Sequence, residues 1–305
     1  MTSKRVLVIG WSQSGQLRRV VDAFTQPFVD AGHEVHRLDL APATPFPFPW
    51  SVATFFGEFP ETVLGRPRPN APLHLPPGEW DLVVLAAQVW FMAPSQPVAA
   101  FLQGPDAAVL DGRRVLTLMS CRNMWVRGWS AMVRRVRGLG GVVTDRVVAT
   151  QSGSVFASYF STLAFMLTGR RDAIKVLPAA EIGPDTFARL TSLGQTAAAR
   201  LSDAPPLAPL LPEHAAAALS YPHAWGEQLV GPLFPVIGAA IAAVSRHGSW
   251  LRGALAHLVL AFILSCVFGL LFPCFATEWM FRRWLRPWLD GRARLDAPPS
   301  TTIIG

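Results

Sequence analysis

Val6-Leu7-Val8-Ile9-Gly10-Trp11-Ser12-Gln13-Ser14-Gly15-Gln16-Leu17 sets an apolar run of strand length against a small-polar loop, and Arg18-Arg19-Val20-Val21-Asp22-Ala23-Phe24 follows as a helix. Gly10 and Gly15 have the spacing of a Walker A loop, but Gln16-Leu17 stands where that motif needs a Lys and a hydroxyl, which argues against a triphosphatase. No G-x-G-x-x-G is present, which argues against a Rossmann dinucleotide fingerprint. A nucleophile elbow needs G-x-S-x-G, and here the second glycine comes one place late. What remains is a strand, Ser12-Gln13-Ser14-Gly15-Gln16, and a helix N-terminus, whose amides and hydroxyls suit one phosphate. A plain polar turn capping the helix is the alternative.

Working outward, apolar runs alternate with helical stretches through the first two hundred residues. Strands are predicted over residues 5–10, 34–39, 81–87, 114–119 and 142–149, and helices over 15–30, 96–102, 126–139 and 186–201. The strands are Val- and Leu-rich with little alternation, as in central parallel strands covered on both faces. Five strands alternating with helices predict a doubly wound α/β sheet, with ligands at the carboxyl ends of the strands. Residues 41–79 interrupt the pattern with ten prolines among Phe46, Phe48, Trp50, Phe55 and Phe56. They read as a surface loop anchored by its aromatics, as a wall over an apolar substrate, or as both.

The domain is expected to span 1–204, followed by a Pro-rich stiff linker at 205–228, a membrane-associated helical segment at 229–290 and a flexible tail at 291–305. Residues 258–272 run without a charge, long enough with their flanks for a membrane span; Trp250, Trp279, Trp284 and Trp288 flank them. A buried core hairpin is the competing reading. Hydrophobic residues make up 51% of the 305 and charged residues 15%, more apolar than a typical soluble protein. The net charge of +7 rests on arginine, since Lys4 and Lys175 are the only lysines. Arg246, Arg252, Arg282, Arg283, Arg286, Arg292 and Arg294 bracket the apolar segment, so the charge is read as facing a membrane. No zinc-finger, recognition-helix or RNP-type pattern accompanies it, and no nucleic-acid partner is expected. Cys121, Cys266 and Cys274 form no pairing or metal motif, and the histidines show no ligand spacing, so no metal is expected. The first residues lead straight into the strand without signal-peptide architecture, and the domain is expected on the cytoplasmic face of the inner membrane.

Two further strand ends complete the candidate site. Val89-Trp90-Phe91-Met92, after the third strand, offers an aromatic and backbone surface, and Ser120-Cys121-Arg122-Asn123 adds polar groups beside Trp125. A planar, partly polar ring with a phosphate tail fits that set, and flavin mononucleotide (FMN) is such a ligand. Trp11–Gln16 resembles the phosphate loop of flavodoxins, with Leu17 departing at its last position. Val89–Pro97 and Ser120–Trp125 look like the ring loops of flavodoxin-like NAD(P)H:quinone oxidoreductases, over about residues 4–202.

Within that superfamily the chain most resembles the flavodoxin-like dialkylresorcinol condensing enzymes of bacterial dialkylresorcinol and aryl-polyene pathways. The residues concerned are Trp11–Leu17, Phe46–Trp50, Phe59-Pro60-Glu61, Ser120–Trp125 and the apolar tail. The resemblance implies a flavodoxin-like five-stranded sheet with FMN held by Ser12, Gln13, Ser14, Gly15, Gln16, Leu17, Val89, Trp90, Phe91, Met92, Ser120, Cys121, Arg122 and Asn123. It implies oxidoreduction of a lipophilic cyclic diketone or quinone-like substrate, with aromatisation of a dialkylcyclohexanedione as the specific form. NAD(P)H as a second cofactor, a pathway ketosynthase and a homodimer are compatible partners. Condensation is not assigned, since no ketosynthase-like Cys with paired His residues is present.

Tyr159, following the fifth strand, is a candidate acid or base, and a structural hydrogen bond is its competing role. Arg122 is a candidate to offset negative charge on a reduced ring or an enolate. Cys121 is better read as a packing residue. Two other functions stay open: a hydrolase or acyltransferase using Ser12, and a non-catalytic module that keeps the fold without the cofactor.

Overall fold

The computed structural model describes residues 3–150, 155–172, 174–177, 179–212, 219–295 and 300–304. In chain order the elements are β1 (Arg5–Gly10), α1 (Gln16–Asp30), β2 (Glu34–Asp39), α2 (Val52–Gly57), α3 (Phe59–Val63), β3 (Leu82–Trp90), β4 (Ala93–Pro94), α4 (Gln96–Phe101), β5 (Arg114–Cys121), α5 (Val126–Gly138), β6 (Val142–Thr150), α6 (Val155–Thr168), α7 (Pro184–Leu201), α8 (Tyr221–Val230), α9 (Leu233–Val244), α10 (Trp250–Leu295) and β7 (Ser300–Ile304).

The sheet runs β2-β1-β3-β5-β6-β7, all parallel, and the two-residue β4 folds back on β3. Leaving β4 aside, the first five strands have the 2-1-3-4-5 order of the flavodoxin-like doubly wound fold. Residues 82–87 of β3 and 114–120 of β5 are buried throughout, because helices cover both faces. One layer packs α1 and α7 around Val20, Phe24, Leu190 and Ala197; the other packs α4 and α5 around Phe101, Trp129 and Val133.

The structure departs from the sequence expectations in three places. Ser300–Ile304 is not a flexible tail but a sixth parallel strand along β6; its run of Ser, Thr and Ile suits the extended backbone. Residues 296–299 and Gly305, also in that tail, lie outside the described residues, as does Ser154 before α6. The proline-rich insert is more than a loop: it carries α2, capped reciprocally by Ser51 and Thr54, and α3. The 205–228 stretch is no free spacer. Leu210 and Leu211 are buried in the core with their amides donating to the Asp145 carboxylate, and α8 starts at Tyr221.

The C-terminal helices lie against the sheet domain rather than beside it. Two buried polar anchors hold them. Arg252, at the start of α10, donates to both oxygens of Glu61 at 3.0 and 2.9 Å, to Gly57 O and to Ser245. Glu227 of α8 accepts the amides of Val126 and Arg127 at 3.2 and 2.8 Å, so it caps α5 from another helix. Helix α10 breaks its helical dihedrals at Phe281, and its later part docks on α8 through Trp225–Trp288 and Tyr221–Asp290 contacts. Trp250–Leu270 is long and apolar enough to cross a membrane, with mean hydropathy 2.3.

Candidate functional site

The strand ends of β1, β3, β5 and β6 share one edge, and the switch between β1 and β3 opens a crevice there. At β1 the chain leaves Gly10 and turns into α1 through Gly15, whose φ of 78° favours glycine. Helix α1 has no side-chain cap and no acid in its first turn, so its N-terminal amides keep their positive field for an anion. Gln13, Ser14 and Gln16 line the cavity beyond. Gln13 also donates to Pro47 O at 2.9 Å, tying the loop to the insert.

Two loop residues behave differently from expectation. Leu17 was expected at the cofactor, but its side chain is buried in the core under α1, which leaves only its amide on the loop side. Ser12 lines a small recess between β1 and α1 with Leu17 and Arg18; its buried Oγ has no hydrogen-bond partner. A serine nucleophile needs a base within hydrogen-bond reach, so this geometry does not favour the hydrolase reading.

The expected loop after β3 is a tight hairpin. Strand β3 continues to Trp90, and Phe91 and Met92, at φ of 50° and 60°, form the turn into β4. Left-handed backbone at two bulky residues is strained and needs support from its surroundings. Gly128 of α5 supplies part of it, since an added Cβ would meet Val89 Cγ1 at 3.1 Å. The C-terminal helices supply the rest: Phe91 and Met92 pack on the cluster of Phe59, Phe234 and Val259. Trp90 turns the other way, into an aromatic group with Trp11, Phe46 and Trp50 that closes the β1–β3 crevice from the side.

At the β5 end, Ser120, Cys121, Arg122 and Met124 line the cavity. The structure does not bring Asn123 to its lining. Tyr159, on α6, faces Arg122, whose guanidinium lies 3.8 Å from its ring centre, and its hydroxyl donates to Met124 Sδ at 3.1 Å. Burial raises the Tyr159 pKa, so the phenol stays protonated and suits a donor better than a base. Burial likewise pushes the Cys121 thiol up, in keeping with a packing role.

These parts enclose a cavity of about 320 Å³. Its sheet side carries Ser14, Gln88, Trp90 and Arg122; its far side is the apolar face of α10, with Leu260, Ile263, Leu264 and Val267. Phe48, Trp50, Phe55 and Phe56 of the insert form a third wall. An FMN-sized ligand fits this donor set: an uncapped helix N-terminus at one end, and along the ring side the buried, unpartnered Gln88 Oε1.

Sequence reasoning missed two buried polar groups here, His223 and Glu227, because their stretch read as linker. Their i, i+4 spacing on one face of α8 was the available signal. His223 is 1% exposed and lines the cavity. Glu58, Glu61 and His247 come within metal-ligand spacing of one another, but Arg68 and Arg252 already engage the two carboxylates, which makes an ion-pair network.

No protein-family model matches the sequence, and no curated protein does. Among solved structures, a flavodoxin from the domain Archaea is 10% identical with a TM-score of 0.37, over 65% of this chain and 99% of that one. An NAD(P)H:quinone oxidoreductase from Methanothermobacter marburgensis is 12% identical with a TM-score of 0.32, over 64% and 98%. A flavone reductase is 10% identical with a TM-score of 0.36, over 65% and 63%. The fold assignment rests on the strand order itself, an α/β doubly wound parallel sheet followed by a C-terminal helical segment.

Proposed function

We propose that this protein is an FMN-dependent oxidoreductase that acts on a lipophilic cyclic diketone or quinone-like substrate at a membrane surface. One observation carries the reading: a single cavity joins the uncapped N-terminus of α1, the strand-end loops of β3 and β5, and an apolar wall of α10. When bound, the flavin would supply two-electron redox chemistry. The chain's own part is to hold the phosphate on Gln13, Ser14, Gln16 and the α1 amides, to seat the ring against Gln88–Met92 and Ser120–Arg122, and to exclude water with the aromatic insert. Aromatisation of a dialkylcyclohexanedione is the specific form of this reading; it rests on the resemblance, as do NAD(P)H, a ketosynthase partner and a homodimer.

Membrane attachment belongs to the same reading, and in-plane contact suits it better than a crossing. Arg252 docks on the insert and the Cys274–Asp290 stretch of α10 on α8, which itself caps α5, so both ends of the roughly 33 Å between Arg252 and Cys274 are held against protein. Only 17% of the apolar window is buried; Trp250 and Leu258 stand exposed along it, and further on Trp279 and Trp284 stand exposed beside Arg282 and Arg283 in sequence. That is the composition of an interfacial helix on anionic lipid at the cytoplasmic face.

The test is the visible spectrum of protein purified in mild detergent, followed by identification of the released chromophore. Bands near roughly 370 and 450 nm with liberated FMN are expected. A colourless protein that takes up no added FMN would overturn the reading and favour the non-catalytic module.

A further inference from the structure

Where β5, α6 and α8 meet, Arg122, Tyr159 and His223 converge on one end of the cavity, and the buried Glu227 lies one helical turn beyond His223 on α8. Tyr159 and Glu227 have internal duties. Tyr159 supports the Arg122 guanidinium from below and donates to Met124, and the Glu227 oxygens accept two α5 amides. His223 is different. Its Nδ1 lies 2.5 Å from Ser220 Oγ, but its Nε2 is buried without a protein partner. Ser220 precedes α8 and makes no side-chain cap to it, so its hydroxyl serves the imidazole. A buried ring nitrogen left unpaired is destabilising, so its retention on a cavity wall calls for a ligand atom.

Resting on the flavoenzyme reading above, we propose that His223 Nε2, with the Arg122 guanidinium beside it, binds a carbonyl or enolate oxygen of the ring substrate. Burial, with the Arg122 charge adding to it, lowers the His223 pKa to about 4, so the imidazole is neutral at physiological pH. With the Ser220 hydroxyl donating into Nδ1, the ring proton sits on Nε2, which is then the free donor of a residue on the cavity wall. A neutral donor beside a fixed positive charge suits an oxygen that carries partial or full negative charge, as in a vinylogous acid or a quinone. The apolar wall of Leu260, Ile263 and Val267 then takes the alkyl substituent of the same molecule.

The experiment uses the full-length protein in mild detergent, with ¹⁵N-labelled histidine and 2-hexylcyclohexane-1,3-dione as the probe. The His223 signals are assigned by their loss in His223→Asn. Addition of the dione is expected to move the His223 Nε2 resonance, and the dione should bind at least about tenfold more tightly than hexylcyclohexane, which lacks the oxygens. His223→Leu should erase that preference while the flavin absorbance stays. A silent Nε2 resonance overturns the proposal, and so does an oxygen preference that survives His223→Leu. The titration of the wild-type protein decides the matter even if the variant does not fold. Flavin uptake with a silent His223 would sink this inference alone; a moving His223 in a protein that takes up no flavin would sink the flavoenzyme reading and keep the carbonyl site.

Discussion

The two walls of the cavity are built on different principles. The sheet-edge wall consists of short loops fixed by the strands they leave: Ser12–Gln16 by β1 and α1, Phe91–Met92 by the β3–β4 turn, and Arg122 by β5. The helical wall is held at a distance, by Arg252 of α10 bonding Glu61 of the insert and by Glu227 of α8 accepting the α5 amides, partners 191 and about 100 residues away in sequence. The first wall offers dipoles and polar atoms in fixed places, which is what a cofactor needs. The second offers apolar area whose exact side chains matter less than its docking. Perturbing each wall separately therefore tests whether cofactor and substrate functions are divided in this way.

The largest effect is expected at the anchor of the helical wall. Arg252→Leu leaves Glu61 and two carbonyl groups without their buried donor, and breaking such a pair from one side typically costs about 3–5 kcal/mol. Chemical denaturation in detergent should show a loss of that size with flavin binding weakened only through the hairpin support. A loss under about 1 kcal/mol would mean that packing alone holds α10, as with an exposed ion pair.

Next comes pH. Burial raises the Glu227 pKa to about 7 from an ordinary 4.5, so its contribution to stability is present below pH 4.5 and is lost as pH rises through 7. His223 runs the other way: lowered to about 4 from 6.5 by burial and by Arg122, it contributes above pH 6.5 and loses that as pH falls through 4. Each displacement is worth on the order of 3 kcal/mol, and between pH 4.5 and 6.5 the two slopes oppose. Relative to the wild type, His223→Asn should tilt stability downward as pH rises through this window, and Glu227→Gln should tilt it upward. Urea midpoints measured at half-unit steps would show this, and tilts of the same sign would break the pairing.

These same residues mark the limit of what the sequence discloses. The central strands were legible because parallel strands covered on both faces need unbroken Val and Leu runs, and β1 falls on its expected residues; β2, an outer strand with polar residues between Val35 and Leu38, also falls where expected. The β3–β4 hairpin was not, since Phe91-Met92 lacks the Gly or Asn that announces such a turn; its strain is absorbed by helices far along the chain. His223 and Glu227 were hidden in a stretch whose prolines suggested a linker, and the partners that give Glu227 its meaning are amides, which leave no residue-type signature. Leu17 misled in the opposite direction: its position in the loop pattern suggested a ligand contact, while its size and apolarity sent it to the core.

A smaller and opposite-signed effect is expected on the sheet-edge wall. Gln16→Glu places a carboxylate in the first turn of α1, where the dipole should raise the stability of the flavin-free protein by about 0.3–1 kcal/mol. The same charge should repel a phosphate and weaken FMN binding by about tenfold or more, read by fluorescence titration. Tightened FMN binding would remove the phosphate from this loop.

The smallest change in stability should come from the outer face of the helical wall. Leu258 is 65% exposed, and Leu258→Ser should alter the unfolding midpoint by no more than about 0.5 kcal/mol, as at other surface positions. In water that would be its whole effect. On a membrane the leucine side chain leaves water, and its removal should lower partition into anionic vesicles by about tenfold, from roughly 25 cal/mol per Å² of apolar surface. Flotation of the two proteins with vesicles of phosphatidylserine and phosphatidylcholine separates the cases. Equal flotation would place the lipid contact elsewhere or nowhere, whereas a selective loss with stability and flavin unchanged would show that the outer face of α10 works independently of the wall it presents to the cavity.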